Sequence, residues 1–278
     1  KKQLRRLFVS INEDIALALL SACLDPEAGV HEARKGCKEI RAILRLVRPQ
    51  LGESEFTHWQ DFYRSLSGKL SGNRDALVRQ QTWQNLLVET PRLQRKKFSS
   101  VARFLSLRPQ SDTFDDKGSD VFLGLALEVV EKRNPSTRMD LPKSQEVLLP
   151  NLKAIYQKAR DAEKIANGSD NIEHFHRFRK RSKDLFSCLS ALKPMFAKSL
   201  KPMVAKLQEL TEVQGLANDQ AVLLECLAEN REALELGDSD WGLAESLIME
   251  RLVGFQKQSH RMAKKLLSKS PGAFIAAL

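Results

Sequence analysis

The stretch Val30–Gly52, VHEARKGCKEIRAILRLVRPQLG, carries two patterns at once. Val30, Ala33, Cys37, Ile40, Leu44, Val47 and Leu51 recur every three or four residues, the spacing of one face of an α-helix. Arg34, Lys38, Arg41, Arg45 and Arg48 recur at the same interval, about a quarter-turn from the apolar stripe at ~100° per residue. Ile43 and Leu46 add apolar surface on a further side, and Glu32 and Glu39 fall outside the basic arc, so neither neutralises it. Like charges at i,i+4 cost about 0.2–0.5 kcal/mol per pair. A helix that needed only solubility would scatter them. A single-signed line flanked by apolar surface belongs instead in a groove between packed helices, where an anion compensates it. Pro49 and Gly52 end this helix.

The pattern returns in FHRFRKRSKDLFSCLSALKPMF, Phe175–Phe196. Adding 145 carries His31, Arg34, Lys35, Lys38 and Pro49 onto His176, Arg179, Lys180, Lys183 and Pro194. The apolar stripe moves with them onto Phe175, Phe178, Ser182, Leu185, Leu189, Leu192 and Phe196, with Ser182 the one polar exception. Downstream, Arg74-Asp75 matches Asn218-Asp219 at an offset of 144. The chain therefore reads as a doubled helical unit. Each copy is a bundle of about four helices, mostly antiparallel because the connections are short, and the copies are related by an approximate two-fold.

Periodicity near 3.6 governs the remainder, with no alternating strand pattern. Helices are expected at Gln3–Cys23, over the quoted stretch, at Ser54–Val88 with a kink near Gly68 and Gly72, and from Thr90-Pro91 to Leu107. Further helices are expected at Asp120–Arg133, Ser144–Ala166, Asp170–Phe196, Ser199–Leu234 and Ser239–Leu267. Arg108–Ser119 reads as a loop. Asn134–Lys143, with its two prolines, reads as the boundary between a first repeat over residues 1–140, which includes the additional helix near 120–133, and a second over 141–278. The fold class is all-α.

Composition narrows the partner. In 278 residues, 45 Lys and Arg against 35 Asp and Glu leave a net charge of +10, which suits an anionic partner. Aromatics are 6% and many Phe sit on apolar stripes, so few are free to stack on bases. Cys23, Cys37, Cys188 and Cys226 form no CxxC pair and read as small buried hydrophobes in a reducing, cytoplasmic setting. The longest apolar run, Val121–Val130, is too short to span a bilayer and contains Glu128.

His31 and His176 read as lying in the first turns of their helices, either as donors to an anion or as neutral rings hydrogen-bonded inside the bundle. His58, His174 and His260 have no counterpart under the offset and read as structural or surface residues. Asp75 and Asp219 read as ties between helices, each through a charge-assisted hydrogen bond to a basic neighbour. Arg5 and Arg6 on the first helix, Arg92, Arg95, Lys96 and Arg103 on the fourth, and Lys257, Arg261, Lys264 and Lys265 on the last are secondary basic residues that could extend the surface.

The H-x-x-R-K-x-x-K pattern at His31–Lys38 and His176–Lys183, each followed by Arg74-Asp75 or Asn218-Asp219, resembles the CHAD family, the conserved histidine α-helical domain. The resemblance covers essentially the whole chain. It implies two four-helix bundles around a central basic channel that binds inorganic polyphosphate, with association with polyphosphate granules or a part in polyphosphate metabolism. On that resemblance His31, Arg34, Lys35, Lys38, Arg41, Arg45 and Arg48 line one wall, and His176, Arg179, Lys180 and Lys183 the other. The second copy departs from the first, with Phe186 where Arg41 maps and Ser190 where Arg45 maps. Polyphosphate is a linear anion with no bases to read, so a track of guanidinium and ammonium groups suffices.

Three other readings share parts of this pattern. A helical nucleic-acid binder fits the charge, but no helix-turn-helix or related motif is present. A phosphohydrolase or its non-catalytic module fits the phosphate chemistry. However, no Walker A pattern, HD dipeptide or paired-carboxylate metal site is present, so a binding module without catalysis, cofactor or metal is expected. A scaffold for another protein is the third.

Overall fold

The computed structural model describes residues 2–70, 74–91, 95–106, 118–138, 148–169, 171–193 and 196–278. Among the described residues the chain forms eleven α-helices and no strand. They are α1 (Lys2–Ser21), α2 (Pro26–Leu51), α3 (Glu53–Lys69), α4 (Arg74–Glu89), α5 (Ser99–Ser106), α6 (Gly118–Arg138), α7 (Leu149–Asn167), α8 (Ile172–Leu192), α9 (Ala197–Glu229), α10 (Asp238–Leu266) and α11 (Pro271–Ala276). Short 3₁₀ turns at Lys96–Phe98 and Arg231–Leu234 precede α5 and α10.

Local chemistry sets the limits of α2. Asp25 caps it, its Oδ1 accepting the Ala28 amide at 3.1 Å, and Pro26 stands at the first helical position. The helix does not stop at Pro49. It runs two residues further, and Gly52 at φ +78° turns the chain into α3. Pro49 sits so close to the end that its missing N–H costs the last turn little.

The expected Ser54–Val88 helix is two helices. α3 ends at Lys69, with the Leu70 amide bonded to the carbonyl of Leu66, and a separate α4 begins at Arg74. Thr90 is buried, and its hydroxyl donates back to the Leu86 carbonyl at 2.9 Å while Arg95 binds the Val88 and Thr90 carbonyls. The Arg95 amide bonds to the Pro91 carbonyl at 3.2 Å, and residues 92–94 of the helix expected from Thr90-Pro91 lie outside the described residues. α6 continues through Pro135 to Arg138, into the expected boundary; residues 139–143 of that boundary and 108–117 of the expected loop lie outside the described residues. α11 adds a helix beyond those expected, although Ser270-Pro271 is a cap followed by a first-position proline and Ser270 accepts the Ala273 amide.

α1 packs on α2 and α6, α2 on α3 and α8, α7 on α8 and α11, α8 on α9, and α9 on α10 and α4. The α1–α2 contact is close. A Cβ at Gly29 would lie 2.5 Å from the Ala22 amide nitrogen and 2.6 Å from the Ala18 carbonyl oxygen, and one at Gly36 would lie 2.5 Å from Cγ1 of Ile15. The larger apolar cluster joins α1, α2, α3 and α6 to α7, α8 and the first half of α9. A smaller one joins Trp83 and Leu86 of α4 and Phe98, Val101 and Leu105 around α5 to Leu223 and Leu227 of α9 and Ala244 and Ile248 of α10. Each cluster draws on both halves of the chain.

Candidate polyanion-binding site

The extra apolar side of α2 lies against the second half of the chain. Ala42, Ile43 and Leu46 are fully buried. The Ala42 carbonyl accepts from the Cys188 thiol of α8 at 3.6 Å, and the Leu46 carbonyl accepts from Asn151 Nδ2 of α7 at 2.7 Å. The two helices that carry the repeated basic pattern are therefore in direct contact.

Beside this contact, guanidinium groups from α2 and α8 meet at one carboxylate. Asp184 of α8, whose side chain is 16% exposed, lies 3.4 Å from Arg45 of α2 and 3.3 Å from Arg181 of its own helix. Arg41 of α2 is half-buried. Its Nε donates to Gln60 Oε1 at 3.2 Å, and Gln60 Nε2 donates back to the Arg41 carbonyl at 2.7 Å. Burial draws the Arg41 pKa below its ordinary value, the neighbouring charges of Arg45 and Arg64 draw it down further, and Asp184 opposes them. Arg64 of α3 also reaches Asp61 at 3.0 Å. Positive charge is thus concentrated where α2, α3 and α8 meet, in a partly desolvated setting that strengthens its field.

Sequence spacing singles out Arg41 and Arg45 but misses Arg64, Arg181 and Asp184. Arg64 comes from a helix with no basic line of its own. Arg181 maps onto Gly36 and Asp184 onto Glu39 under the offset of 145. A carboxylate at both 39 and 184 is the one available signal. The two face different neighbours, however: burial raises the Glu39 pKa, with Lys35, Asp14 and Glu32 among its surroundings.

The remaining first-wall residues are partly engaged within the protein. Arg34 is half-buried and its Nη1 donates to the Leu70 carbonyl at 3.4 Å, placing a cation at the C-terminal end of α3. Arg48 makes a two-pronged pair with Glu53, at 3.0 and 2.7 Å, and its guanidinium lies 4.5 Å from the centre of the Phe56 ring. Glu32 does neutralise part of the helix: Lys35 binds it at 2.9 Å, which lowers the Glu32 pKa and raises that of Lys35. Lys38 is exposed.

On the second wall, Lys180 and Lys183 are exposed, His176 is half-buried, and Arg179 is half-buried beside Asp219 of α9. Burial lowers the Arg179 pKa and the Asp219 charge opposes the shift, which puts these two charges near each other between α8 and α9. The side chain of Asp75 lies outside the described residues, as does Arg92. Ser182, the polar exception in the stripe, is buried and accepts from Gln214 Nε2 of α9 at 3.2 Å.

The histidines do not sit in first turns. Because Asp25 and Asn171 cap α2 and α8, His31 is the sixth residue of its helix and His176 the fifth. The dipole's influence fades beyond the first turn. His31 is exposed, 3.9 Å from Glu32, rather than held inside the bundle. His260 of α10 is stacked on Phe178 of α8, with ring centroids 5.4 Å apart, and lies 3.4 Å from Glu163. Of the secondary residues, Arg6, Lys257, Arg261, Lys264 and Lys265 are exposed and Arg5 is half-buried. Lys257, Arg261 and Lys264 flank His260 on α10, so that helix reaches the second wall through an aromatic contact. Lys96 and Arg103 pack near α10 and the turn before it, Arg103 reaching Glu235 at 3.5 Å.

Among the described residues, no grouping of His, Cys, Asp and Glu could hold a metal ion, and no helix is long and apolar enough to cross a membrane. The CHAD domain family model matches residues 13–228. A search of curated proteins found no match.

Proposed function

The chain belongs to the CHAD family, and on that premise we propose that it binds inorganic polyphosphate along the basic surface where α2 and α8 meet. The observation that supports this most is the pairing of Arg45 and Arg181 with Asp184 at a contact between the two repeats, with the charges of Arg41 and Arg64 close by. Cys188 meets Ala42, and 42 plus 145 is 187, so the helices touch within one residue of equivalent places, which supports an approximate two-fold between the repeats. The phosphate chain lies across that contact, held by guanidinium groups near the centre and by Lys38, Lys180 and Lys183 farther out. Binding is by charge and bidentate hydrogen bonding, without base stacking. The protein acts as a binding module rather than an enzyme, and its cellular place is in the cytoplasm with polyphosphate, including its granules.

A calorimetric titration with long-chain polyphosphate across a salt series tests the proposal. Affinity falls as salt rises, and replacing Lys38, Lys180 and Lys183 by Gln reduces the log–log salt slope by roughly 0.7 for each phosphate that a lysine no longer neutralises. These three side chains are exposed, and an unchanged circular dichroism spectrum and melting curve check that the variant keeps its fold. An unchanged slope moves the site elsewhere on the molecule. Displacement of polyphosphate by single-stranded or duplex nucleic acid at equal charge concentration favours the nucleic-acid reading. Phosphate release in the presence of Mg²⁺ or Mn²⁺ favours an enzyme.

A further inference from the structure

The guanidinium cluster already contains an anion of its own. Asp184 is a mostly buried carboxylate, paired at once with Arg45 from the first repeat and Arg181 from the second. Its charge also bears on Arg41, which Arg45 and Arg64 repel. Arg45 and Arg181 thus share Asp184, Arg41 feels its charge, and Arg64, whose charge bears on Arg41, pairs with the exposed carboxylate of Asp61. The arrangement is one-sided. Under the repeat, the counterpart of Arg45–Asp184 is Ser190–Glu39, and Ser190 has no cation to offer: its buried hydroxyl has no hydrogen-bond partner among the described residues.

We propose that Asp184 is a built-in competitor for the site, a carboxylate that occupies the place of a phosphate until a polyanion displaces it. The inference rests on the polyphosphate reading and deepens it by naming how the site discriminates among phosphates. Asp184 is tethered, so its effective concentration at Arg45 and Arg181 is high. A single orthophosphate must break both pairs with one group's worth of contacts. A chain engages the outer cations at the same time, and its further contacts offset the loss of the pair. Asp184 therefore sets a minimum length for the ligand and keeps the cluster closed to ordinary cellular phosphate. It also holds the like charges together while the site is empty, since two groups at about 4 Å interact strongly where water is partly excluded.

The test is Asp184→Asn, which nearly keeps the shape and removes the charge. In calorimetric titrations at low salt, we expect long-chain polyphosphate to bind about tenfold more tightly to D184N than to the wild type. Orthophosphate and tripolyphosphate should compete with the long chain in D184N at concentrations that leave the wild type unaffected. The ligand-free variant should melt at a lower temperature and recover more of that loss on adding polyphosphate. A residue with only a structural role would lower stability and affinity together, so weaker or unchanged binding by D184N overturns the inference. Should D184N not fold, a crystal structure of the wild type with tripolyphosphate decides the matter. Displacement predicts that the phosphate lies on Arg45 and Arg181 with the Asp184 carboxylate turned out of hydrogen-bond reach. An intact Arg45–Asp184 pair beside the bound phosphate refutes it. Failure of the wild type to bind any polyphosphate sinks the functional reading instead, which separates the two claims.

Discussion

Replacing Gly29 by Ala is the most direct test of how α2 is seated. Gly29 lies in the first turns of α2, where alanine is ordinarily the better helix former by roughly 0.5–1 kcal/mol. Here the new Cβ would stand 2.5 Å from the backbone nitrogen of Ala22 and 2.6 Å from the carbonyl oxygen of Ala18. Both are backbone atoms of the α1 end, so no side chain can swing aside. Reaching ordinary contact near 3.5 Å requires α1 and α2 to part by about 1 Å at this end, and such overpacking costs ~1–3 kcal/mol. The contact outweighs the propensity gain and leaves a net loss of about 1–2 kcal/mol. For a chain of this size that lowers the melting temperature by roughly 2–8 °C. Gly254→Ala is the control. Gly254 is inside α10, where an added Cβ would meet nothing within 4 Å, so the same substitution should raise the melting temperature by about 2 °C. Differential scanning calorimetry on both variants reads the two signs. A stabilised Gly29→Ala protein would refute the close α1–α2 approach.

Burial pushes the Cys37 thiol up to about 11 and the Cys188 thiol up to about 12. The folded state therefore keeps protons that the unfolded chain releases above its ordinary thiol range, and stability should fall as pH rises from about 9 towards those values. Urea unfolding between pH 8 and 10.5 checks the slope, which Cys37→Ser with Cys188→Ser should reduce. At pH 8, iodoacetamide should modify Cys23 and Cys226 well before Cys37 and Cys188, as read by mass spectrometry. Tyr63→Phe removes the hydroxyl that donates to Asn12 Oδ1 at 2.7 Å and leaves a buried acceptor unsatisfied. A loss of about 1–3 kcal/mol is expected in denaturant unfolding. No loss would mean that water reaches Asn12.

Much of the architecture is legible in the sequence because it is written in local spacing. The apolar stripe from Val30 to Leu51 is the buried face of α2, and the phase-matched stripe from Phe175 to Leu192 is that of α8. Spacing does not give the identity of partners far away in the chain. Ile43 and Leu46 are visible as a second apolar side, but that α7 and α8 cover it depends on Asn151 and Cys188. The basic line is visible as a line. Its division into residues held by Glu32, Glu53, Gln60, the Leu70 carbonyl and Asp184 is not, since most of those partners sit on other helices. The break after Lys69 reads as a kink because Gly68 and Gly72 weaken a helix without saying where the next one packs. α4 leaves that line to join α9, a tertiary choice that propensity does not encode.

That choice has a consequence for how the protein is made. Trp83 of α4 meets Phe98 soon after it is made, but the Leu223 side of its pocket, from α9, arrives only 140 residues later in synthesis. At ribosomal speeds of about 5–20 residues per second, this is roughly 7–28 s during which the α9-facing side of Trp83 and Leu86 stays uncovered on the nascent chain. Chaperone dependence in the cell should therefore track the α4 surface, and polar substitutions that ease synthesis there would weaken the finished molecule.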